Sequence, residues 1–292
     1  MPEVIIGGHV STRGGIDRAV DNAVAIGAEV IQTHPSPPQQ WKPRRIDEGT
    51  VAAYRAKAEA VTLGPHFFHA VYLVNLASRD EAMVARSVDS LVRYMDLAAV
   101  IGAAGVVFHP GSHKGAGFEA VVDQIADSMR AVLAQSSSPA RLILENSAGS
   151  GGCVGCSFEE VAAIMDAAGD DQRLGVCLDT AHSFASGYEL RTEEAVAETL
   201  GAFARLVGFE RLMCVHANDS RAALGSNVDR HANIGTGEIG LEPFRVMLGD
   251  ERMRAVPWIL EVPGAGEGPD RQQINVLRRA AGLAPVAASV AV

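Results

Sequence analysis

The residues that follow the chain's short apolar runs are almost all imidazoles or carboxylates: His9, Thr33 with His34, His69, His109, Glu145, Asp179, His216 and Glu261. From His69 onward, six successive runs deliver only these two types, and no Lys or Arg accompanies them. One such residue alone is a satisfied core or rim polar group, but six in phase are not explained that way. Gathered without a counter-charge they would shift one another's pKa values strongly, so a bound cation is the economical completion. Asp179 and His182, three residues apart, share a face if the chain turns helically there, and Asp229 and His231, two apart, project to one side of an extended loop. Taken alone, the first pair is a helix cap with a neighbouring His and the second a charged turn. Beside the strand ends they bring the candidate ligands to nine: His69, His109, Glu145, Asp179, His182, His216, Asp229, His231 and Glu261. A zinc ion takes about four ligands and a catalytic one keeps a place for water, so nine suit two or three ions. His and carboxylate without cysteine also admit manganese or iron. Such a site suits hydrolysis by activated water, with no covalent nucleophile required.

These positions need a frame that aims consecutive strand ends at one place. Eight β-branched-rich runs occur at about Val4 to Gly7, Glu29 to Thr33, Gly64 to Phe68, Gly105 to Phe108, Arg141 to Leu144, Leu174 to Leu178, Leu212 to Val215 and Pro257 to Leu260. Each is followed by a loop and a segment with helical spacing, as in Arg79 to Ile101 and Phe118 to Ala134. Ser157 and Thr192, each followed by acidic residues, read as helix N-caps. Alternation of this kind predicts a parallel sheet, and eight units predict a single (β/α)₈ TIM barrel spanning 1–292, with the tail after about Leu283 frayed. An open doubly wound sheet is the alternative; no GxGxxG follows the first strand, so a dinucleotide site gains nothing.

With 292 residues and 48% hydrophobic content, the chain can bury one large core. Its apolar stretches fall short of the ~18 residues of a membrane span, and no signal peptide or anchor is expected. Cys177 and Cys214 lie in apolar runs and read as buried thiols, which fits a reducing cytoplasm. Cys153 and Cys156 form a lone CxxC without the second pair a structural zinc ribbon needs. The formal charge of −10 argues against a general nucleic-acid binder.

Several motifs together closely resemble the endonuclease IV family of apurinic/apyrimidinic endonucleases, within the xylose-isomerase-like barrels, along almost the whole chain. They are Gly7-Gly8-His9-Val10-Ser11, Tyr72-Leu73-Val74-Asn75-Leu76, His109-Pro110-Gly111-Ser112, Glu145-Asn146-Ser147-Ala148-Gly149, Cys177-Leu178-Asp179-Thr180-Ala181-His182, His216-Ala217-Asn218-Asp219-Ser220, Val228-Asp229-Arg230-His231 and Ile259-Leu260-Glu261. The resemblance implies a trinuclear zinc site, with manganese or iron admissible at one position, that hydrolyses the phosphodiester 5′ to an abasic site and removes 3′-blocking groups. It implies one ion on His69, His109 and Glu145, a second on Glu145, Asp179, His216 and Glu261, and a third on His182, Asp229 and His231. Glu145 would bridge two ions and act catalytically. It also places His9, Gln40, Tyr72, Leu73 and Arg230 against double-stranded DNA, with the protein acting as a cytoplasmic monomer without a membrane partner. Three divalent ions outweigh the four carboxylates among the nine ligands, so an acidic protein can still present a cationic site to a phosphate.

The chain departs from the family in the loop after the second strand, where a Lys-Asn-x-Arg-x-Trp pattern is replaced by Ser36-Pro37-Pro38-Gln39-Gln40-Trp41, leaving Gln39 at the Arg position. Ala70 and Val71 also replace a small polar pair. These changes leave the candidate ligands intact and bear on lesion capture. A metal-dependent sugar isomerase or epimerase on the same barrel is the competing expectation, although such enzymes need fewer ligands. A catalytically idle DNA-binding barrel would need a broken metal site, and none of the nine positions is lost.

Overall fold

The computed structural model of the protein describes residues 3–37, 39–43 and 45–287. Pro38 of the altered loop and residues 288–292 of the tail lie outside the described residues. The elements in chain order are β1 (Ile6–His9), α1 (Asp17–Ile26), β2 (Ile31–Thr33), α2 (Glu48–Ala60), β3 (His66–His69), α3 (Glu81–Ile101), β4 (Gly105–Phe108), α4 (Val122–Gln135), β5 (Arg141–Glu145), α5 (Phe158–Ala168) and β6 (Leu174–Asp179). They continue with α6 (Thr180–Ala185), α7 (Glu193–Leu206), β7 (Leu212–His216), β8 (Asp219–Ser220), β9 (His231–Ala232), α8 (Glu242–Gly249), α9 (Glu251–Arg254), β10 (Trp258–Leu260) and α10 (Arg271–Ala280). All strands but β8 and β9 close into a parallel barrel in the order β1-β10-β7-β6-β5-β4-β3-β2. The molecule is thus the single (β/α)₈ barrel that strand and helix alternation predicts.

The barrel interior is filled by Val30, Phe67, Val107, Ile143, Cys177, Cys214 and Ile259. Strand side chains alternate faces, so the residue two positions further on looks inward again, one layer nearer the C-terminal mouth. That step reaches Gln32, His69, His109, Glu145, Asp179, His216 and Glu261, and from Gly7 it reaches His9. Alternation alone therefore produces a ring of eight polar side chains above an apolar layer. A Cβ on Gly7 would sit 1.6 Å from the Val30 carbonyl oxygen, so only glycine lets β1 lie against β2 at this point.

Several boundaries differ from expectation. The first strand runs to His9 rather than Gly7, and the third begins at His66 and reaches His69. The pair β8 and β9, an antiparallel two-residue ladder between β7 and α8, had no signal in apolar periodicity because each strand is too short to alternate. The expected caps are present: Ser157 accepts from the Glu160 amide and Thr192 from that of Ala195. The stretch after Leu283, expected to fray, is tied down as far as it is described. The Val286 amide donates to the Asn275 side chain at 2.7 Å, and Arg278 donates to the Ala284 carbonyl at 2.7 Å.

Between barrel and helices lies the larger apolar cluster, in which Trp258 of β10 is fully buried and donates its indole N–H to the Met253 carbonyl at 2.9 Å. Trp258→Ala is expected to cost about 3–5 kcal/mol, from lost packing and the cavity left behind. Urea unfolding monitored by circular dichroism measures it. No helix among the described residues is long and apolar enough to cross a membrane.

Candidate metal centre

The nine candidate ligands converge at the mouth, around Glu145. The Glu145 side chain is 1% exposed, and its two carboxylate oxygens face different neighbours. Oε2 lies 2.9 Å from His69 Nε2 and 3.3 Å from His109 Nε2, whereas Oε1 lies 2.8 Å from His216 Nδ1 and 3.4 Å from His182 Nδ1. Glu261 Oε2 is 3.3 Å and Asp179 Oδ2 3.9 Å from the same His216 Nδ1, so Glu145, Asp179, His216 and Glu261 form one compact group. On the other side, His182 Nε2 and His231 Nε2 approach Asp229 at 3.4 and 3.2 Å, and His231 Nε2 lies 3.9 Å from Asp179 Oδ2. Asp229 is the outlier in burial, its side chain 54% exposed on the loop before β9.

Asp179 has two tasks. Its Oδ1 caps α6 by accepting from the His182 amide at 2.7 Å, while Oδ2 faces His216 and His231. The helix-cap and ligand interpretations of the Asp179 and His182 pair are therefore compatible, each using a different oxygen.

For His69, His182 and His216, one hydrogen bond on the ring fixes which nitrogen is left over. His69 Nδ1 donates to the Ala70 carbonyl at 2.8 Å, and His182 Nδ1 donates to the Asn146 carbonyl at 3.0 Å. Gln32 donates through Nε2 to Glu261 Oε1 at 2.6 Å, so its Oε1 is the atom that accepts from His216 Nε2 at 2.8 Å. The neutral tautomers thus leave lone pairs on His69 Nε2 and His216 Nδ1, each less than 3 Å from an oxygen of Glu145. Without a metal a proton fills each gap, and against the effect of burial the facing carboxylates raise both imidazoles; a divalent ion would take the place of those protons. His109 Nδ1, His182 Nε2 and His231 Nε2 are buried with no hydrogen-bond partner, which would cost about 1–3 kcal/mol each if left so. An oxygen and nitrogen donor set with orphaned imidazole nitrogens fits divalent metal, and outer partners that set the tautomer are what such sites use.

The charges are mutually dependent. Burial alone would raise Glu145, yet the imidazoles of His109 and His216 hold it well below the usual carboxylate range. Burial dominates at Asp179 and pushes it up, and at His109 it brings the imidazole down to about 4. His34, just past β2, is held down to about 3 by burial and by His9, and is neutral. His66 is also held down to about 3 by burial, but Thr33 and Tyr54 satisfy both its nitrogens, so it is a core histidine away from the centre.

Four polar residues escaped the sequence reading. Gln32 carries no signal at the end of the second run because Thr33 and His34 follow it, and Thr33 points outward to His66. Asn146 accepts from the Asp179 amide at 2.7 Å, and Asn218 donates to Asp179 Oδ2 at 2.7 Å while accepting from the Glu261 amide at 2.9 Å. Asp219, fully buried, accepts from the amides of Ser220, Gly235, Gly237, Ile239 and Gly240 at 2.8–3.4 Å. Asp219 thereby gathers the loop that follows His231, and Gly237 is required because a Cβ would sit 2.5 Å from Asp219 Oδ1. Asp219→Ala would strand those amides and is expected to destabilise the protein by about 2–4 kcal/mol. It should also weaken metal retention at His182, Asp229 and His231, read as a lower metal content per chain.

Of the residues expected to face DNA, His9 ends a barrel strand, Tyr72 and Leu73 follow His69 closely in the chain, and Arg230 lies between two candidate ligands, whereas Gln40 lies apart from them. His9 ends β1 with its side chain 21% exposed, Tyr72 is 70% exposed, Leu73 is half-buried against the core, and Arg230 is exposed beside Asp229. Gln39 and Gln40 are exposed, and Ser36 Oγ holds the Gln40 carbonyl at 2.7 Å. With Trp41, which lies under the Arg86 guanidinium, the two glutamines line a separate hollow. Cys153 and Cys156 are free and half-buried, and Cys177 and Cys214 are buried free thiols in the interior layer.

Residues 20–280 match the model of the xylose isomerase-like TIM barrel family. A protein of Halorhodospira halophila described as probable endonuclease 4 is 40% identical over 280 residues, covering 95% of this chain and 93% of its own. The crystal structure of endonuclease IV from Thermus thermophilus superposes with a TM-score of 0.83 at 36% identity, covering 94% of this chain and 98% of that one. A D-tagatose 3-epimerase-like protein superposes at 0.67 with 16% identity over 94% of each chain, a likeness of fold alone. Barrel, mouth and relatives lead to one assignment: the chain belongs to the endonuclease IV family of the xylose isomerase-like barrels.

Proposed function

We propose that the protein is an endonuclease of DNA base-excision repair that hydrolyses the phosphodiester 5′ to abasic sites and clears 3′-blocking groups with three bound divalent ions, zinc foremost. The observation that carries this reading is the ring of inward imidazoles and carboxylates, whose ring nitrogens either face a shared carboxylate or are buried without a hydrogen-bond partner. His69, His109 and Glu145 would hold one ion, Glu145, Asp179, His216 and Glu261 a second, and His182, Asp229 and His231 the third. When bound, such ions acidify water for in-line attack and neutralise charge on the phosphate and leaving oxygen.

The chain's own groups supply orientation. Glu145, fixed from both sides, would help hold the attacking hydroxide in place. Gln32 and Asn218 keep His216, Asp179 and Glu261 in their rotamers through the hydrogen bonds described above. Tyr72 and Leu73, beside His69 on the rim, would wedge the duplex open at the lesion, where stacking is already interrupted. Arg230 would meet a backbone phosphate. Gln39 supplies no positive charge where the family pattern has Arg, so binding would rest more on the metal centre and on Tyr72.

The test is incision of a duplex carrying one abasic residue, with the ends of the product identified. A 3′-hydroxyl on the upstream fragment and a deoxyribose phosphate on the downstream one is the expected result. Turnover of free ketoses with no incision would replace this reading by the epimerase one.

A further inference from the structure

Beside the metal centre lies a cavity of about 840 Å³ whose lining includes His9, Arg13, His34, Ile46, His231 and Glu261. His231 and Glu261 belong to the centre itself, so a sugar attached to a phosphate held there has this cavity next to it. In this lining the rings of His9 and His34 stand 4.4 Å apart, inclined by 56°. Their tautomers are opposite. Gln32 Nε2 can only donate, so His9 Nδ1 accepts from it at 3.2 Å and the His9 proton is on Nε2. A carbonyl can only accept, so His34 Nδ1 donates to that of His69 at 3.1 Å, and His34 Nε2 carries a lone pair. Neither Nε2 has a hydrogen-bond partner among the described residues, and neither is among the buried orphaned atoms. Two rings of the cavity lining, their centroids 4.4 Å apart, therefore carry one uncommitted donor and one uncommitted acceptor.

A neutral group that donates and accepts at one atom is a hydroxyl. In an abasic deoxyribose within a DNA strand, the 3′ and 5′ oxygens are esterified, and the only free hydroxyl is the one on C1′. Resting on the proposed function, we propose that His34 acts with His9 to bind the C1′ hydroxyl of the abasic sugar, making this protein discriminate a true abasic site from an analogue without that hydroxyl. A site built to hydrogen-bond a hydroxyl disfavours the analogue lacking it, because its own polar groups are then left unpaired.

The experiment compares kcat/KM on two duplexes, one with a natural abasic site made by uracil excision and one with tetrahydrofuran, which lacks the C1′ hydroxyl. Wild-type protein should favour the natural site by about 10-fold. In His34→Phe, which keeps a ring beside His9 but no acceptor, the ratio should fall close to one; in His34→Gln, whose amide oxygen can accept, most of it should return. Because the ratio is taken within each protein, a change in metal loading lowers both rates together and leaves it unmoved. A wild-type ratio near one, or a ratio that survives His34→Phe, overturns the proposal while leaving incision intact. Failure to incise either duplex overturns the proposed function, and this proposal with it.

Discussion

Incision by a Glu145→Gln protein is expected to fall by about 10³-fold or more, the loss typical of removing a group aimed at the reacting centre. The substitution keeps the volume of a side chain that is 1% exposed, so packing barely changes. It removes the charge to which the imidazoles of His69, His109, His182 and His216 are all oriented. An amide can present an oxygen on one side only, whereas Glu145 presents an oxygen in both directions. At least one shared position is therefore lost, and metal content should fall with activity. Thermal unfolding separates this from misfolding: the Gln variant should unfold at a temperature close to that of the wild type stripped of metal. Full metal content with wild-type incision rates would remove Glu145 from its assigned role.

The second large effect is expected from His182→Ala. This side chain is 3% exposed, its Nδ1 is tied to the Asn146 carbonyl, and its Nε2 is one of the three buried imidazole nitrogens without a partner. Removing it leaves Asp229, on an exposed loop, with His231 alone. The expected result is the loss of one ion per chain and a fall in kcat/KM of about 10²-fold, with the other two positions retained. Asp219→Ala acts on the same ion through the backbone that follows His231, so the two variants should agree in metal content and differ in stability. Loss of all metal in His182→Ala would show that the positions do not fill independently.

Much of this was legible because a barrel strand has a two-residue period. Val107 and His109, Ile143 and Glu145, or Ile259 and Glu261 are each an apolar interior residue followed two positions later by a polar one. Apolar runs ending in His or carboxylate therefore located the ring without coordinates. The same rule applied to Val30 leads to Gln32, but the β2 run continues through Thr33, whose outward hydroxyl has the look of a strand end in sequence. Asp219 could not be found this way. Its partners are backbone amides of a glycine-rich loop, which carry no side-chain signature. His34 lay in plain view as an imidazole after a strand, yet only the carbonyl of His69 and the amide of Gln32 reveal that it and His9 carry opposite tautomers. The Asp179 and His182 spacing was readable in two ways, and the helix that begins at Thr180 satisfies both.

On the proposed function, one set of nine side chains holds the ions on which phosphodiester hydrolysis depends. Its most direct test is elemental analysis of the purified protein alongside incision of an abasic duplex, before and after exhaustive chelation and after restoring zinc. Expected are about three zinc ions per chain, incision lost with the metal, and incision regained as zinc returns. Undiminished incision by metal-free protein would contradict it.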